Sequence, residues 1–197
     1  MRQSRQKLSY ETFILLSRKV DSVRIVSMEI ASLPKASLRI KGKYAQVIVN
    51  PSGKHDGNAG LFLNDAIESH YSTVDGVVIA SPGEYEVGGL KIRGSRSDSH
   101  STYSLLVDGV DILLGKLSAF EKIHGKLSEH AMVIIDADTV ADVSFATALA
   151  SNVLIITGEK AQEVTSTFVK ENVKNMSKYV VTKDKLPQEV ETIQLSA

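Results

Sequence analysis

The chain has 197 residues, enough for one domain with an appendage, and at 43% hydrophobic and 23% charged it has an ordinary globular composition. Lys plus Arg and Asp plus Glu both count 23, so the formal charge is zero, and the strong basic footprint of a general nucleic-acid binder is excluded. Cysteine is absent, which excludes disulfides and thiolate chemistry and leaves any zinc site to His and carboxylates.

Residues 1–8 are polar and carry Arg2, Arg5 and Lys7, as in a loose terminal arm. A short helix is predicted over Tyr10–Lys19, with Ser9 as its cap, Glu11 in its first turn and Arg18 and Lys19 in its last. Its apolar run Phe13, Ile14, Leu15, Leu16 spans too wide an arc for a free surface helix, so it must pack on something. Residues 1–22 are therefore read as an arm with a short helix, and 23–197 as the domain. From Val23 the period becomes two: Val26, Met28 and Ile30 alternate with Ser27 and Glu29, as in a strand with one buried face. Strands Ser37–Ile40 and Gln46–Asn50 follow, joined by Lys41-Gly42-Lys43. Pro51–Gly60 reads as loop.

Val77–Ala80 is an apolar run and Leu90–Arg93 alternates. Tyr103–Val107 and Val110–Leu114 flank Asp108-Gly109, the strongest hairpin signal in the chain. In the second half, Met132–Ile135 and Val153–Ile156 are continuous apolar runs, predicting strands covered on both faces. Helices are predicted over Ala119–Leu127, Val140–Ala150 and Ala161–Lys174, and closing strands over Tyr179–Thr182 and Thr192–Leu195. Hairpins first and strand–helix alternation later imply sheets sandwiched by helices. No segment holds the roughly 18–20 uninterrupted apolar residues of a membrane helix, so the cytoplasm is the expected compartment.

Three stretches carry a family resemblance: MEIASLPKASLRIKGKYAQVIVNP (28–51), SPGEYEVGGLKIRG (81–94) and STYSLLVDGVDILLGK (101–116). They resemble the metallo-β-lactamase superfamily, in its lactonase-like branch of small metal-dependent hydrolases. The string Pro82-Gly83-Glu84-Tyr85-Glu86 is the most specific part, and the likeness runs on more weakly through 132–158. The resemblance implies an α/β fold, an αββα sandwich of two mixed sheets packed face to face with helices outside and metals at one edge. It also implies a His-x-His-x-Asp-His cluster that holds zinc and lowers the pKa of a bound water.

That cluster is missing. No His-x-His occurs among His55, His70, His100, His124 and His130. Ser69-His70-Tyr71-Ser72 keeps at most the first histidine. Where the family has Gly-His near its first strand, this chain has Pro34-Lys35; where it has Asp-Pro, Asn50-Pro51. Its Leu-Gly-Asp becomes Leu114-Gly115-Lys116, and its last histidine falls at about Gly158. His70, His100 and Lys116 are thus the candidate remnants of the site, and no residue is assigned a catalytic or metal-binding role. Lys116 either replaces the lost positive charge, pairing with Asp136 or Asp138, or lies solvated at a strand end.

The other candidates have plainer readings. His55-Asp56-Gly57-Asn58 is a polar turn, and Gly88-Gly89 a turn or bulge. Asp98-Ser99-His100 is no triad, because neighbours in an extended chain point in opposite directions. Glu84 and Glu86 share one face of a strand, suited to structural hydrogen bonds, or to acid–base work as a carboxylate pair. Lys170–Lys178 reads as a solvated helix end. The leading expectation is a non-catalytic binding or interaction module without cofactor, associating with itself or with a protein partner. The alternative is a zinc-dependent hydrolase with a displaced or single-metal site using His70, His100 and carboxylates. Neither a membrane nor nucleic acid is expected as a partner.

Overall fold

The computed structural model describes residues 27–64, 73–169 and 172–196. The arm and the helix expected over Tyr10–Lys19 lie outside these residues, as does His70. Along the chain the strands are β1 Met28–Leu33, β2 Ser37–Lys41, β3 Gln46–Val49, β4 Ala59–Leu61, β5 Val77–Ile79, β6 Gly83–Val87 and β7 Leu90–Ser97. They continue as β8 His100–Val107, β9 Val110–Lys116, β10 His130–Asp136, β11 Ala150–Thr157, β12 Val173–Met176, β13 Lys178–Val181 and β14 Glu191–Leu195. Among the described residues, the α-helices α1 Leu117–Ile123, α2 Ser144–Leu149 and α3 Ala161–Val164 lie in the second half.

The strands form two sheets. One has six strands in the order β13-β1-β2-β3-β4-β5, the other eight in the order β12-β14-β11-β10-β9-β8-β7-β6. In β1–β3 the period-two pattern turns Met28, Ile30, Leu38, Ile40, Val47 and Val49 into the core between the sheets. Glu29 and Arg39 occupy the opposite face and pair at 2.6 Å. The continuous apolar runs behave differently, because both faces of β9, β10 and β11 are covered. Ile112, Leu114, Met132, Ile134, Val153 and Ile155 join the inter-sheet core. Leu113, Val133, Ile135, Leu154 and Ile156 form a second core with Leu117, Phe120, Ala146, Leu149, Ala161 and Val164 of the three helices. Two mixed sheets with helices outside are the expected α/β sandwich. Among the described residues no helix is long and apolar enough to cross a membrane.

Several boundaries differ from the sequence reading. The helix expected over Ala161–Lys174 stops at Val164, gives way to a π-type turn over Thr165–Val169, and is followed by a strand. There the unpaired edge of β14 takes Val173–Met176 as its parallel neighbour, and tertiary pairing overrides helix propensity. Lys170–Lys178 is accordingly no helix end: Lys174 lies on edge strand β12 and Lys178 on edge strand β13, where lysines guard against pairing with other chains. The loop expected over Pro51–Gly60 ends early, because Ala59–Leu61 slots between β3 and β5 as a parallel strand. The helices expected over Ala119–Leu127 and Val140–Ala150 shorten to α1, with a 3-10 turn at His124–Lys126, and to α2.

The Asp108-Gly109 turn has φ of 49° and 81°, as a two-residue hairpin with both central residues left-handed requires. The Asp108 carboxylate accepts a hydrogen bond from the Lys43 N–H at 2.8 Å, joining this hairpin to that of the other sheet. Deeper in, Tyr103 is fully buried and its hydroxyl lies 3.0 Å from the carbonyls of both Phe62 and Ile79. A strand of the eight-stranded sheet thereby satisfies backbone belonging to the six-stranded one. Tyr103→Phe should destabilise the protein by about 1–2 kcal/mol by removing the donor from two buried carbonyls, read as a lower urea midpoint at unchanged m-value.

Candidate functional site

Strands β9, β10 and β11 run parallel, and their register sets Asp136 beside Lys116 on one side and Thr157 on the other. Their carboxyl ends open onto a cleft, the usual place for a ligand in a parallel sheet. The cleft has a volume of about 330 Å³ and is lined by Lys35, Asn50, Asn64, Lys116, Asp136 and Glu159, among others. Lys35 sits in the β1–β2 turn with φ of 60°, and Asn50 follows β3 with φ of 47°, a left-handed geometry that asparagine tolerates. The six-stranded sheet thus supplies one wall and the eight-stranded sheet the other.

Asn50 fastens the two walls. Its Nδ2 donates to Asp136 Oδ2 at 3.1 Å, and its Oδ1 accepts from the Leu63 N–H at 3.0 Å. Both ends of the amide are therefore committed, and their chemistry fixes its orientation. Lys116, whose side chain is 14% exposed, places Nζ 3.7 Å from Asp138 Oδ2. Asp138 also accepts from the Ser118 hydroxyl at 2.6 Å and the Ser118 N–H at 3.1 Å. Of the two carboxylates expected to pair with Lys116, Asp138 makes the ion pair, while Asp136 stands next to it in the sheet and takes the Asn50 amide. Burial raises the Asp136 carboxyl to about 6, against the attraction of Lys116 and the hydrogen bond from Asn50.

Gly158 lies behind Asp136. Its φ is +97°, and a Cβ built there would stand 2.3 Å from Asp136 Oδ1. A histidine at this position would require Asp136 to move. Of the departures from the family pattern, Lys35, Asn50 and Lys116 line the cleft, and Gly158 lies against Asp136 at its edge. Among the described residues, the side chains lining the cleft do not fit a divalent cation. The Lys116 ammonium stands in the cleft beside Asp136 and Asp138, the Asn50 amide turns its N–H toward Asp136, and both repel positive charge. Among the described residues no three His, Asp or Glu side chains converge on a point that could hold a metal.

Other candidates are placed elsewhere. His100 heads β8 in an isolated bridge to Asn64, with Nδ1 3.4 Å from Ser99 Oγ, and Asp98 turns away to pair with Lys122. His100 does not line the cleft, and no Ser–His–Asp relay forms there. In the signature string, Glu84 pairs across strands with Arg93 at 2.5 Å, and Glu86 faces Lys91 in the register. The Tyr85 hydroxyl donates to the Ser81 carbonyl at 2.9 Å, with Gly83 packed on its ring. Gly88-Gly89 is the β6–β7 turn, with φ of 57° and 84°. His55 bridges Val74, and the Asn58 side chain accepts from the Gln46 N–H.

No family model and no curated protein matches the sequence. Among solved structures, the chain is similar to a protein of Thermotoga maritima described as a Zn-dependent hydrolase of the metallo-β-lactamase superfamily. Identity is 15%, the match covers 86% of this chain and 100% of that one, and the TM-score is 0.65. At that identity the likeness is one of fold. More distant likenesses, both at TM-score 0.49, are with the metallo-β-lactamase fold protein YhfI from Bacillus subtilis and a metallo hydrolase from Ignicoccus hospitalis. Their identities are 8% and 10%; each match covers 79% of this chain, and 99% and 98% of those chains respectively.

Two outcomes follow from the cleft. Its carboxyl being raised, Asp136 binds a proton more tightly in the folded than in the unfolded state. This contribution is therefore fully present below about pH 4 and is lost as pH rises through about 6. Asp136→Asn should be more stable than the parent at pH 8 by about 1–3 kcal/mol, the gap closing below pH 4, in paired urea titrations. Lys116→Ala strands Asp138 and removes the cation beside Asp136, and should cost about 1–3 kcal/mol at pH 7 in the same assay; a change within about 0.5 kcal/mol would mean that Lys116 is merely solvated.

Proposed function

We propose that this chain, which takes the metallo-β-lactamase fold, has given up that fold's metal-dependent hydrolysis and serves as a binding or interaction module. One observation carries the reading: the cleft at the strand ends holds an internal ammonium–carboxylate and amide–carboxylate network in place of metal ligands. Metal chemistry needs a cation to lower the pKa of a bound water. Here Lys116 supplies a positive charge that has no open coordination position, and Asn50 spends a donor on the carboxylate that would otherwise ligate. The fold persists because the network satisfies the same buried polar positions internally. Fold alone does not carry activity; the site does.

Association with a second copy or with a protein partner is the use we assign to the module. The formal charge of zero leaves little long-range repulsion between copies. Val77 on β5 and Val180 on β13, both on edge strands, are about half exposed and offer apolar contact.

Elemental analysis of the purified protein tests the reading directly. Zinc, iron and manganese should be well below stoichiometric, and the melting temperature should respond neither to micromolar metal nor to chelator. Stoichiometric metal would instead favour a displaced site built with His70 or His100. Lys116→Asp should recover no zinc-dependent esterase or lactonase activity, because one carboxylate does not replace a histidine cluster.

A further inference from the structure

A second polar cluster stands at the opposite end of the same parallel strands. Lys116 and Asp136 close the carboxyl ends of β9 and β10; Asp111 and His130 stand at their amino ends, five and six residues away. At about 3.3 Å per residue that separation is roughly 16–20 Å. A groove of about 520 Å³ opens here, lined by Glu84, Lys91, Arg93, Ser104, Leu106 and Asp111, and it shares no lining residue with the cleft.

His130 is 8% exposed and reaches the groove through its contact with Ser104. Pairing of β10 with β11 is irregular between His130 and Met132. Ser104 opposes Leu113 across β8 and β9, and Leu113 belongs to the helix-side core, so Ser104 stands on the sheet face away from the inter-sheet core. The imidazole reaches it there. His130 Nδ1 is 2.9 Å from the Ser128 carbonyl, which can only accept, so Nδ1 carries the proton. In the neutral ring Nε2 is then a lone pair, and it faces the Ser104 hydroxyl at 3.2 Å. Asp111 completes the group: Oδ2 is 3.8 Å from Nε2, and Oδ1 is a second, longer acceptor for the one Ser104 hydroxyl proton at 3.5 Å, against 3.2 Å to Nε2.

We propose that Ser104 and His130 form a metal-independent hydrolytic site for short-chain carboxylic esters. This goes beyond the reading of the cleft and does not rest on it. The needs of a nucleophilic serine fall to different groups around it. The Ser128 carbonyl fixes the tautomer and aims Nε2, as a third group must in any such pair. Asp111 faces the nitrogen that becomes positive, stabilising the imidazolium once the hydroxyl proton arrives. Arg93, held by Glu84, lies directly across from Ser104 in the β7–β8 register and lines the same groove, the nearest cationic side chain to which an ester carbonyl oxygen would turn. Leu106, 40% exposed, offers an apolar rest for a short acyl chain.

The step balances within these groups. Ser104 Oγ bonds to the ester carbonyl carbon while its proton moves to His130 Nε2 and the carbonyl π pair moves onto oxygen. Collapse breaks the bond to the alkoxy oxygen, which takes the proton from Nε2 and leaves as the alcohol. Water then repeats the sequence on the acyl-serine, releasing the acid and restoring the hydroxyl.

The full-length chain is incubated in chelator with p-nitrophenyl butyrate and, separately, with a fluorophosphonate probe whose adduct is mapped by peptide mass spectrometry. Chelator-insensitive ester turnover and a single adduct on Ser104 are expected. Ser104→Ala should abolish both at an unchanged melting temperature, and His130→Gln should slow labelling by roughly tenfold or more. No adduct on Ser104, or labelling that His130→Gln leaves within about twofold, overturns the proposal. Should His130→Gln not fold, the parent's labelling rate against pH decides: a sigmoidal rise supports the imidazole base, and a flat profile overturns it. Metal content reads the cleft separately, so each reading fails on its own measurement.

Discussion

Strand register is the constraint on which the cleft depends. In β9, β10 and β11 every side chain has a fixed face, because one face packs on the other sheet and the other on the helices. A slip of one residue would exchange the two sets, so the alignment is held by burial on both sides. Lys116, Asp136 and Thr157 are consequently neighbours at strand spacing, about 4.8 Å apart along the hydrogen-bonding direction. No choice of residue at one of these positions is independent of the others. Lys116 is the cation that register sets beside Asp136, and its ammonium pairs with Asp138 two residues further on.

The exchange of an amide for a carboxylate at Asn50 follows the same electrostatic logic. An aspartate at 50 would present one oxygen to the Leu63 N–H, as Asn50 does, and the other to Asp136 across 3.1 Å. Two carboxylates at that distance need a metal or a shared proton between them. The amide turns repulsion into a hydrogen bond. Gly158 belongs to the same arrangement, since its missing side chain is the room that Asp136 occupies. Lysine, asparagine and glycine at these positions form one solution to one charge problem.

Much of the fold was readable from period and turn chemistry. The buried runs in β10 and β11 and the Asp108-Gly109 hairpin carry their structure in their own residues, as hydrophobic continuity and a φ > 0 dipeptide do. Strands β4 and β12 were not readable: Ala59-Gly60-Leu61 and Val173–Met176 have no strand pattern and exist because a neighbouring edge needs a partner. In the cleft, Lys116, Asn50, Lys35 and Gly158 were found through the residues the resemblance would have placed there. The link from Asn50 to Asp136 spans 86 positions and left no local trace. His130 was likewise invisible as a partner of Ser104, since only the folded sheet brings the two strands together.

At the margin where β12 gives way to β13, a single residue, Ser177, carries the chain from one sheet to the other. The Met176 carbonyl accepts from the Ser196 N–H at 3.1 Å, and the Ser177 carbonyl accepts from the Ser32 N–H at 3.0 Å. On the opposite margin only residues 80–82 separate β5 from β6. The sandwich is thus hemmed covalently along both sides, like a flattened tube. Neither sheet can fray at an edge without pulling the corresponding edge of the other, so local openings that would normally start at a lone border strand become shared events. The stiffness of each layer is in this way lent to its neighbour, and the cleft between their ends inherits walls that move together.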